Sequence, residues 1–458
     1  MFPISQTIID QAIHDLAITD ITTATIRQIC SLSEELEKLA GDSFVHLEIG
    51  NPGLPAEQVG VEAEIEALRS GVANKYPAIN GIPPLKENGS RFVKAFLDLE
   101  MSPKGIIPTV GSMQGSFTLL FLLKQRIPEK DTMLFINPGF PAQRNQAKLL
   151  GFKVEEFDIY DYRGAKLEEK LESMLGSGRV TGIIYSNPNN PAWTNLTEEE
   201  LEIIGRMATK HDAIVVEDLA YMGMDFRRDQ SHPGEGPYVP TVGKYTDNYI
   251  LLISASKIFS YAGQRIAMVC IPDKVYERKY KFFEDFYEIP AFGDAYIFGV
   301  LYTASSGTSH SSQYAMASML QHAVEGRLNF VEHCREYGRR GEIVKKAFTD
   351  NGFHIVYSID GEEPIADGFF FTVGYPGFSA ADLQKELMRF GISSISLPST
   401  GSLQPGIRAC VSAISDEKTF QNLRDRLSAF NSEHGHGTQE NSATDKTVAR
   451  ELAEEIKA

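Results

Sequence analysis

The sequence predicts an α/β protein, with a mostly parallel sheet between helices in a large domain and a smaller α+β domain built from both chain ends. Three observations support this fold class. The chain has 458 residues, enough for two or three domains and a large core. Through its middle, short apolar segments alternate with amphipathic helical segments, as in a parallel sheet covered by helices. From about residue 315 onward, a helix-rich stretch with fewer strands replaces that alternation.

The predicted strands of the large domain are short and apolar, as expected where helices cover both faces of a sheet. A helix is predicted between two of them, at residues 197–210. Thr197 and Glu200 have the spacing of a capping box at its start, and apolar residues recur at helical spacing after them. The predicted strands are residues 132–137, 182–186, 213–216, 249–253 and 265–271.

The last third of the chain predicts the smaller unit. Helical segments at 313–348 lead into a strand at 368–373, a capped helix at 379–390 that Gly391 ends, and strands at 392–397 and 407–413. We therefore expect four parts: an N-terminal segment joining the small domain (1–48), a large domain (49–312), a small domain (313–432) and a polar tail (433–458). The tail contains His434 and His436, which we expect to be solvated, with no metal site.

Composition excludes several classes of function. The formal charge is −17, from 61 acidic and 44 basic residues, which argues against a nucleic-acid partner. No stretch reaches the length of a membrane span, and the acidic N-terminus lacks the basic region of a signal peptide. The cysteines are scattered and predict free thiols in a reducing compartment; they are Cys30, Cys270, Cys334 and Cys410. We expect a cytoplasmic protein without membrane partners.

Polar residues follow three successive predicted strands, at the edge where ligands bind in open α/β sheets. NPNNPAW, which contains Asn190, follows the first, and Asp218 and Tyr221 follow the second. SASKIFSYAGQR, with Lys257 and Arg265, follows the third. Each has an ordinary explanation by itself: a turn, a helix N-cap and a solvated lysine. Because the three occur in order at neighbouring strand ends, we interpret them together as one site.

This set of side chains matches the needs of pyridoxal phosphate, which takes a lysine for a Schiff base and a carboxylate for its ring nitrogen. The order and spacing resemble the class I/II aminotransferases, which adopt the aspartate aminotransferase fold. That family's lysine motif, S-x-S-K followed by G-x-R, places its arginine eight positions after its lysine, as Lys257 and Arg265 are placed. The resemblance extends over roughly residues 40 to 430.

The resemblance implies a cofactor role for each matched residue. Lys257 is expected to form the Schiff base and move the substrate's α-proton, while Asp218 faces the pyridine nitrogen. Tyr221 and Asn190 are expected to donate to the cofactor's phenolic oxygen, and Phe140 to stack on its ring. The expected phosphate ligands are Ser254, Ser256, Arg265 and the amides of Ser112 and Met113, the last two at the start of an apolar helix after TVG.

Three further matches concern the substrate and the oligomer. The backbone of Gly50, in LEIGNP, is expected near the substrate together with Asn190. Arg408, in PGIR, is expected to bind the α-carboxylate. Tyr76, in NKYPAING, matches a tyrosine that reaches the phosphate of the neighbouring subunit, which implies a homodimer with shared sites.

Two positions depart from the family pattern. The usual N-P-T-G turn is NPAW here, which places Trp193, the one tryptophan of the sequence, beside Asn190. Ser305, four residues before Ser309, stands where dicarboxylate-specific members have a second arginine. We therefore expect no clamp of that kind for aspartate or glutamate.

The sequence leaves three functions open. The first is an aminotransferase that moves an amino group between an L-amino acid and a 2-oxo acid through Lys257. The second is a carbon–sulfur β-lyase, which would need the same lysine, aspartate and arginine. The third is a non-catalytic effector-binding protein, but the segment of roughly 45 residues before Leu47 is too short and too acidic for the DNA-binding domain of such regulators. We expect the aminotransferase.

Overall fold

A computed structural model describes residues 2–435 of the protein. These residues contain fifteen strands, which are numbered in chain order. The strands are β1 (Val45–His46), β2 (Ile106–Val110), β3 (Thr132–Asn137), β4 (Lys153–Asp158), β5 (Val180–Ser186), β6 (Ile214–Asp218), β7 (Tyr249–Ser254), β8 (Ile266–Cys270), β9 (His354–Ile355), β10 (Ile359–Asp360), β11 (Glu363–Pro364), β12 (Phe370–Gly374), β13 (Ile392–Ser393), β14 (Ile395–Ser396) and β15 (Ile407–Cys410).

Helices separate most of these strands and cover the sheets. The α-helices are Gln6–Asp15, Ile26–Ala40, Gln58–Arg69, Pro83–Leu97, Gly111–Arg126, Pro141–Leu149, Lys166–Leu175, Glu198–Lys210, Ala255–Ile258, Asp273–Tyr276, Lys281–Tyr287, Phe292–Asp294, Tyr302–Ser305, His310–Val324, Phe330–Thr349, Ala380–Arg389 and Glu417–His434. The segment Ala295–Leu301 is a π-helix. Short 3₁₀ turns lie at Val72–Asn74, Pro103–Gly105, Ile159–Tyr162, Val242–Lys244, Ala262–Gln264 and Leu397–Thr400.

The large sheet has seven strands in the order β2-β8-β7-β6-β5-β3-β4. All its neighbours pair in parallel except β8, which is antiparallel to both β2 and β7. The α/β class with a mostly parallel sheet is therefore confirmed, as are the five predicted strands. The sequence analysis missed β2 and β4. β4, KVEEFD, is an edge strand that carries charges, so it lacks the apolar run of the inner strands.

Alternate residues of the inner strands pack into two separate cores, one on each face of the sheet. In β7, Ile250 and Leu252 belong to one core, and Leu251 and Ile253 belong to the other. This alternation follows from the two-residue period of a strand. The helix Glu198–Lys210 has the predicted capping box between Thr197 and Glu200, and its buried face covers one side of the sheet.

The smaller unit has a four-stranded antiparallel sheet in the order β14-β15-β12-β9. The N-terminal part of the chain joins this unit, because β1 pairs in parallel with β13 and the Ile4 amide donates to the Arg389 carbonyl. Apolar residues of both chain ends share a core that contains Ile9, Ile29 and Met388. A second, smaller unit is thus present, while the proposed boundaries at residues 48, 312 and 432 stay a prediction.

His434 differs from the expectation of a solvated tail. It ends the helix Glu417–His434, its Nε2 lies 2.8 Å from Glu386 Oε1, and its ring packs 4.7 Å from that of Phe430. The apolar face of this last helix extends as far as His434, so the histidine is packed against the small domain. His436 lies outside the described residues. Among residues 2–435, no helix combines the length and apolar character needed to cross a bilayer.

Trp193 packs at the junction of the two units, behind the candidate site. Its side chain is fully buried between the rings of Tyr221 and Phe370, with centroids 5.5 and 6.1 Å away. Gly368 lies against the indole, and a Cβ at that position would overlap the ring. Trp193 therefore fills the space that Gly368 leaves.

We expect Gly368→Ala to lower the free energy of unfolding by about 1–3 kcal/mol, because the added methyl group overpacks a dense core. Chemical denaturation measures the effect. Gly263→Ala is the control, since no atom lies within 4 Å of a Cβ there. In a Gly368→Ala/Trp193→Phe double variant, the smaller ring should relieve part of the clash, so the two losses should not add. Fully additive losses would show that the indole is not the obstacle.

Candidate active site

The three polar strand ends meet at one edge of the large sheet. β5, β6 and β7 are adjacent and parallel, with Ser186 paired to Asp218 and Asp218 to Leu252. Their carboxyl ends therefore open at the same place. The start of the helix Gly111–Arg126 joins this edge, because the Gly111 amide donates to the carbonyl of Arg265 at 2.9 Å. The structure thus gathers residues from four separate parts of the sequence.

Lys257 lies in the short helix Ala255–Ile258 that follows β7 directly. The Ser254 side chain caps this helix by accepting from the Ser256 amide at 3.2 Å. The ammonium group donates to the carbonyl of Gly50 and lies 5.3 Å from the ring centroid of Phe369. Burial lowers the pKa of Lys257 to about 8, and the charges of Arg408 and Arg265 act in the same direction. An amine with this pKa is partly neutral near pH 7 and can attack an aldehyde.

Asp218 ends β6 and is buried. Its carboxylate accepts from Gln143 Nε2 at 2.8 Å and from the Ala220 amide at 3.2 Å, two uncharged donors. Burial raises the pKa of Asp218 to about 6, and these two hydrogen bonds only partly oppose the rise. A desolvated carboxylate held by neutral donors is suited to a cationic partner such as a protonated ring nitrogen.

Tyr221 and Asn190 flank this carboxylate from neighbouring loops. Tyr221 packs against the rings of Phe369 and Phe370, with centroids 5.5 and 5.4 Å away. Burial raises the pKa of its phenol far above the usual value, so the hydroxyl keeps its proton and can donate. The backbone amide of Asn190 donates a 3.1 Å hydrogen bond to Ser186 Oγ, which fixes the position of this residue.

Arg408 lies on β15 of the small sheet and is buried. Nη1 donates to Asn190 Oδ1 at 3.3 Å, Nη2 donates to the Glu48 carbonyl, and the guanidinium stacks 4.6 Å from the Phe370 centroid. Nε is buried without a hydrogen-bond partner among the described residues. Burial lowers the pKa of Arg408, although the side chain remains charged. A buried guanidinium with an unused donor fits an incoming carboxylate.

The predicted phosphate ligands lie on the other side of Lys257. Arg265 has a left-handed backbone with φ of 51°, and its Nη1 donates to the Ala262 carbonyl at 2.9 Å and lies 3.5 Å from Ser256 Oγ. A Cβ at Gly111 would overlap the Arg265 guanidinium, so the glycine permits this close approach. Ser112 and Met113 begin the sixteen-residue helix at this point. A cation and a helix N-terminus here form an anion-binding arrangement.

Phe140 lies near the residues of the site, whereas Tyr76 of the same chain does not. Phe140 is half-buried and precedes the helix Pro141–Leu149, one turn from the Gln143 that binds Asp218. Tyr76 is 91% exposed and lines a separate cavity of about 410 Å³ with the segment Ser305–Ser311. Within one chain, the structure does not bring Tyr76 to Lys257 or Arg265.

Four residues of the site are not among those predicted from the sequence. Gln143 orients Asp218, Phe369 and Phe370 form the aromatic wall beneath Lys257 and Arg408, and Glu48 binds Arg408 through its carbonyl. The sequence predicts a strand over 368–373, whereas β12 begins at Phe370 and Phe369 directly precedes it. The contact of each ring with a cation depends on tertiary packing that no local pattern encodes.

Pyridoxal phosphate fits these residues on three independent counts. Lys257 supplies a buried amine with a lowered pKa, Asp218 a buried carboxylate without a cationic partner in the described chain, and the Arg265–Gly111 contact an anion cradle. The groups thus match the aldehyde, the ring nitrogen and the phosphate of the cofactor, respectively.

Comparison with known proteins supports the same assignment. Residues 42–427 match the family model "Aminotransferase class I and II". A probable aspartate aminotransferase of Methanocaldococcus jannaschii is 26% identical, over 54% of this chain and 61% of that protein. An S-alkyl-thiohydroximate lyase of Arabidopsis thaliana is 25% identical, over 56% of this chain and 55% of that protein. The chain therefore spans less than two thirds of the length of these two relatives.

The solved structure of an aspartate aminotransferase from Thermotoga maritima has the same fold, with a TM-score of 0.72 and 17% identity over 92% of this chain and 99% of that one. The family match covers most of the sequence and includes every residue gathered at the sheet edge. The chain belongs to the class I and II aminotransferase family, whose members depend on pyridoxal phosphate.

Proposed function

We propose that the protein is a pyridoxal-phosphate-dependent aminotransferase that moves an amino group between an L-amino acid and a 2-oxo acid. One observation carries the proposal: a desolvated lysine at the edge of the large sheet and a desolvated arginine of the small sheet, which has an unused donor and contacts Asn190, belong to one site. The first suits an aldehyde, and the second suits the α-carboxylate common to amino and 2-oxo acids.

In this proposal the chain's residues divide the work. When bound, pyridoxal phosphate supplies an electron sink for the electron pair left at the substrate's Cα. Lys257 would take the proton from that carbon as general base and release it away from Cα, because its return to Cα would only restore the substrate. Asp218 keeps a proton at the ring nitrogen through its charge, and Arg408 holds the α-carboxylate so that the Cα–H bond faces Lys257.

We further propose a homodimer. Tyr76 projects into solvent from a single chain, and apolar side chains are exposed at helical spacing beside the phosphate cradle. Met113, Phe117 and Phe121 lie four residues apart on Gly111–Arg126, which a 2.9 Å hydrogen bond between Thr118 and Tyr296 joins to the neighbouring π-helix. An exposed face of this kind is typical of an interface. A second copy would cover it and bring its own Tyr76 to the phosphate.

A carbon–sulfur lyase is the second candidate, because a relative with 25% identity is named an S-alkyl-thiohydroximate lyase. The products distinguish the two: a 2-oxo acid with an aminated acceptor, or ammonia with a released thiol. The acidic charge and the four buried free thiols favour a cytoplasmic location.

Lys257→Ala should abolish both the borohydride-fixed cofactor label and amino transfer, since no other amine replaces the one that binds the aldehyde. Peptide mapping of the reduced wild-type protein should place the label on Lys257. Lys86, whose pKa burial also lowers to about 8, should stay unlabelled and is an internal control. A wild-type protein that takes up no cofactor, or a label on another lysine, would overturn the proposed role.

Arg408→Lys should lower kcat/KM for all amino-acid donors by about ten- to a hundredfold, because a lysine cannot reproduce the guanidinium's bidentate contact with a carboxylate. A panel of neutral, aromatic and acidic donors measures the effect. Aspartate and glutamate should have no large advantage over neutral donors of similar size. Arg335→Lys, on the surface, is the matched control. If kcat/KM for every donor were unchanged in Arg408→Lys, Arg408 would not be the residue that binds the carboxylate.

Mixing Lys257→Ala chains with Tyr76→Ala chains should restore about one quarter of wild-type activity, since half of randomly formed dimers contain one intact site. Each variant should be nearly inactive alone. The activity of the mixture is compared with that of each variant at equal chain concentration. A fully active monomer in sedimentation analysis would contradict the shared site.

A further inference from the structure

A row of charged side chains lies behind Arg408, on the side away from Lys257's helix. His46 has a carboxylate at each ring nitrogen: Nδ1 lies 2.8 Å from Glu48 Oε1, and Nε2 lies 3.1 Å from Glu37 Oε1. Because carboxylates only accept, both contacts are hydrogen bonds only when both nitrogens carry protons. The contact with Glu48 is the main reason that the pKa of His46 rises to about 9. The row is therefore Glu37, protonated His46 and Glu48.

Glu48 connects this row to the candidate site. Its carbonyl accepts from Arg408 Nη2, and its negative charge opposes the effect of burial on the pKa of Arg408. Glu48 is fully buried, and its Oε2 has no hydrogen-bond partner among the described residues. Arg408 Nε is also buried without a hydrogen-bond partner among the described residues. A desolvated anion and a desolvated cation thus lie near each other, and each has an unused polar atom.

The charges of these four groups balance. Arg408 and protonated His46 contribute two positive charges, and Glu37 and Glu48 contribute two negative ones. In surroundings of low dielectric constant, a further carboxylate on Arg408 must compete with the charge of Glu48. The proton on His46 reduces that competition, because it offsets the Glu48 charge from the far side.

We infer that Glu48 is a positioning residue whose charge partly neutralises Arg408 before substrate binds, and that His46 holds the Glu48 carboxylate off the guanidinium, so that the substrate's α-carboxylate can bind Arg408. The inference deepens the proposed function and rests on the role of Arg408 in it. It assigns to the LEIG segment a part in substrate affinity beyond the backbone contact expected at Gly50.

Other ionisable groups surround this row. The pKa of His46 is raised to about 9, and that of Lys257, near Arg408, is lowered to about 8, but in the proposed holoenzyme the Lys257 amine is bound to the cofactor. Burial raises the pKa of Cys30 to about 11 and raises that of Cys410, so both thiols keep their protons at about pH 9. Tyr221 also stays protonated, and the arginines stay charged. The charged or titratable groups facing the row are Arg27, Cys30, Glu34 and Glu37 from the helix Ile26–Ala40, Arg408 and Cys410 from β15, Tyr221, and Arg426 with Asp42 from the chain's two ends.

The test compares two uncharged variants of the holoenzyme, with hexanoate as the probe. Glu48→Gln removes the competing anion and should tighten hexanoate binding about three- to tenfold. His46→Gln leaves the Glu48 charge uncompensated and should weaken binding by a similar factor. The Glu48→Gln/His46→Gln double variant should bind hexanoate at least as tightly as the wild-type protein does. Absorbance of the cofactor band and calorimetry give the affinities, and hexanamide, which has no charge, should show none of these differences.

A pH series tests the part assigned to His46. Wild-type affinity for hexanoate should change little between about pH 7, above the raised pKa of Asp218, and about pH 8, and should fall as pH rises through about 9, because the deprotonated ring no longer offsets Glu48. This fall should be absent in His46→Gln. His232→Gln, at an exposed histidine beside Asp229, is the matched control and should keep it. NMR titration of the His46 ring should give the raised pKa directly.

The outcomes separate this inference from the proposed function. Suppose that Arg408→Lys loses hexanoate binding, but that Glu48→Gln and His46→Gln change the affinity in the same direction or leave it unchanged. This result would overturn the inference and leave the proposed function standing. Full binding in Arg408→Lys would overturn both. A variant damaged in its fold would bind more weakly, so tighter binding by Glu48→Gln and rescue by the double variant cannot come from a structural defect.

Discussion

The parallel pairing of β5, β6 and β7 is the constraint on which the rest of the site depends. Three apolar strands that point the same way must end at the same edge, so the loops that follow them converge. Both faces of these strands are buried in separate cores, and the backbone there has little freedom to shift. Asn190, Asp218 and Lys257 consequently occupy fixed positions although 28 positions separate the first two and 39 the last two.

Burial then gives these side chains their chemical properties. The same desolvation lowers the pKa of Lys257, raises that of Asp218 and leaves Arg408 with an unused donor. Each of these states is unfavourable for the unliganded chain, because a charge is held away from water without a full complement of partners. A ligand with an aldehyde, a cationic ring nitrogen, a phosphate and a carboxylate would relieve all of them together.

Much of this arrangement could be predicted from the sequence because it is encoded locally. Apolar strand segments, a capping box and the spacing between Lys257 and Arg265 are patterns of neighbouring residues. The edge strand β4, the Gln143–Asp218 hydrogen bond and the stacking of Phe369 and Phe370 on the two cations could not be predicted in that way. They depend on which helix and which sheet meet, and a single sequence has no local signal for that.

The turn at Trp193 links two distant positions of the chain. Its φ of 64° lies in the left-handed region that favours glycine, and the family's usual N-P-T-G turn has a glycine there. Here the bulky residue occupies the turn, and the glycine stands opposite it at 368. The pair therefore places a large residue at the turn and a small one opposite it. A large residue at both positions would not fit, and a small residue at both would leave a void the size of an indole ring.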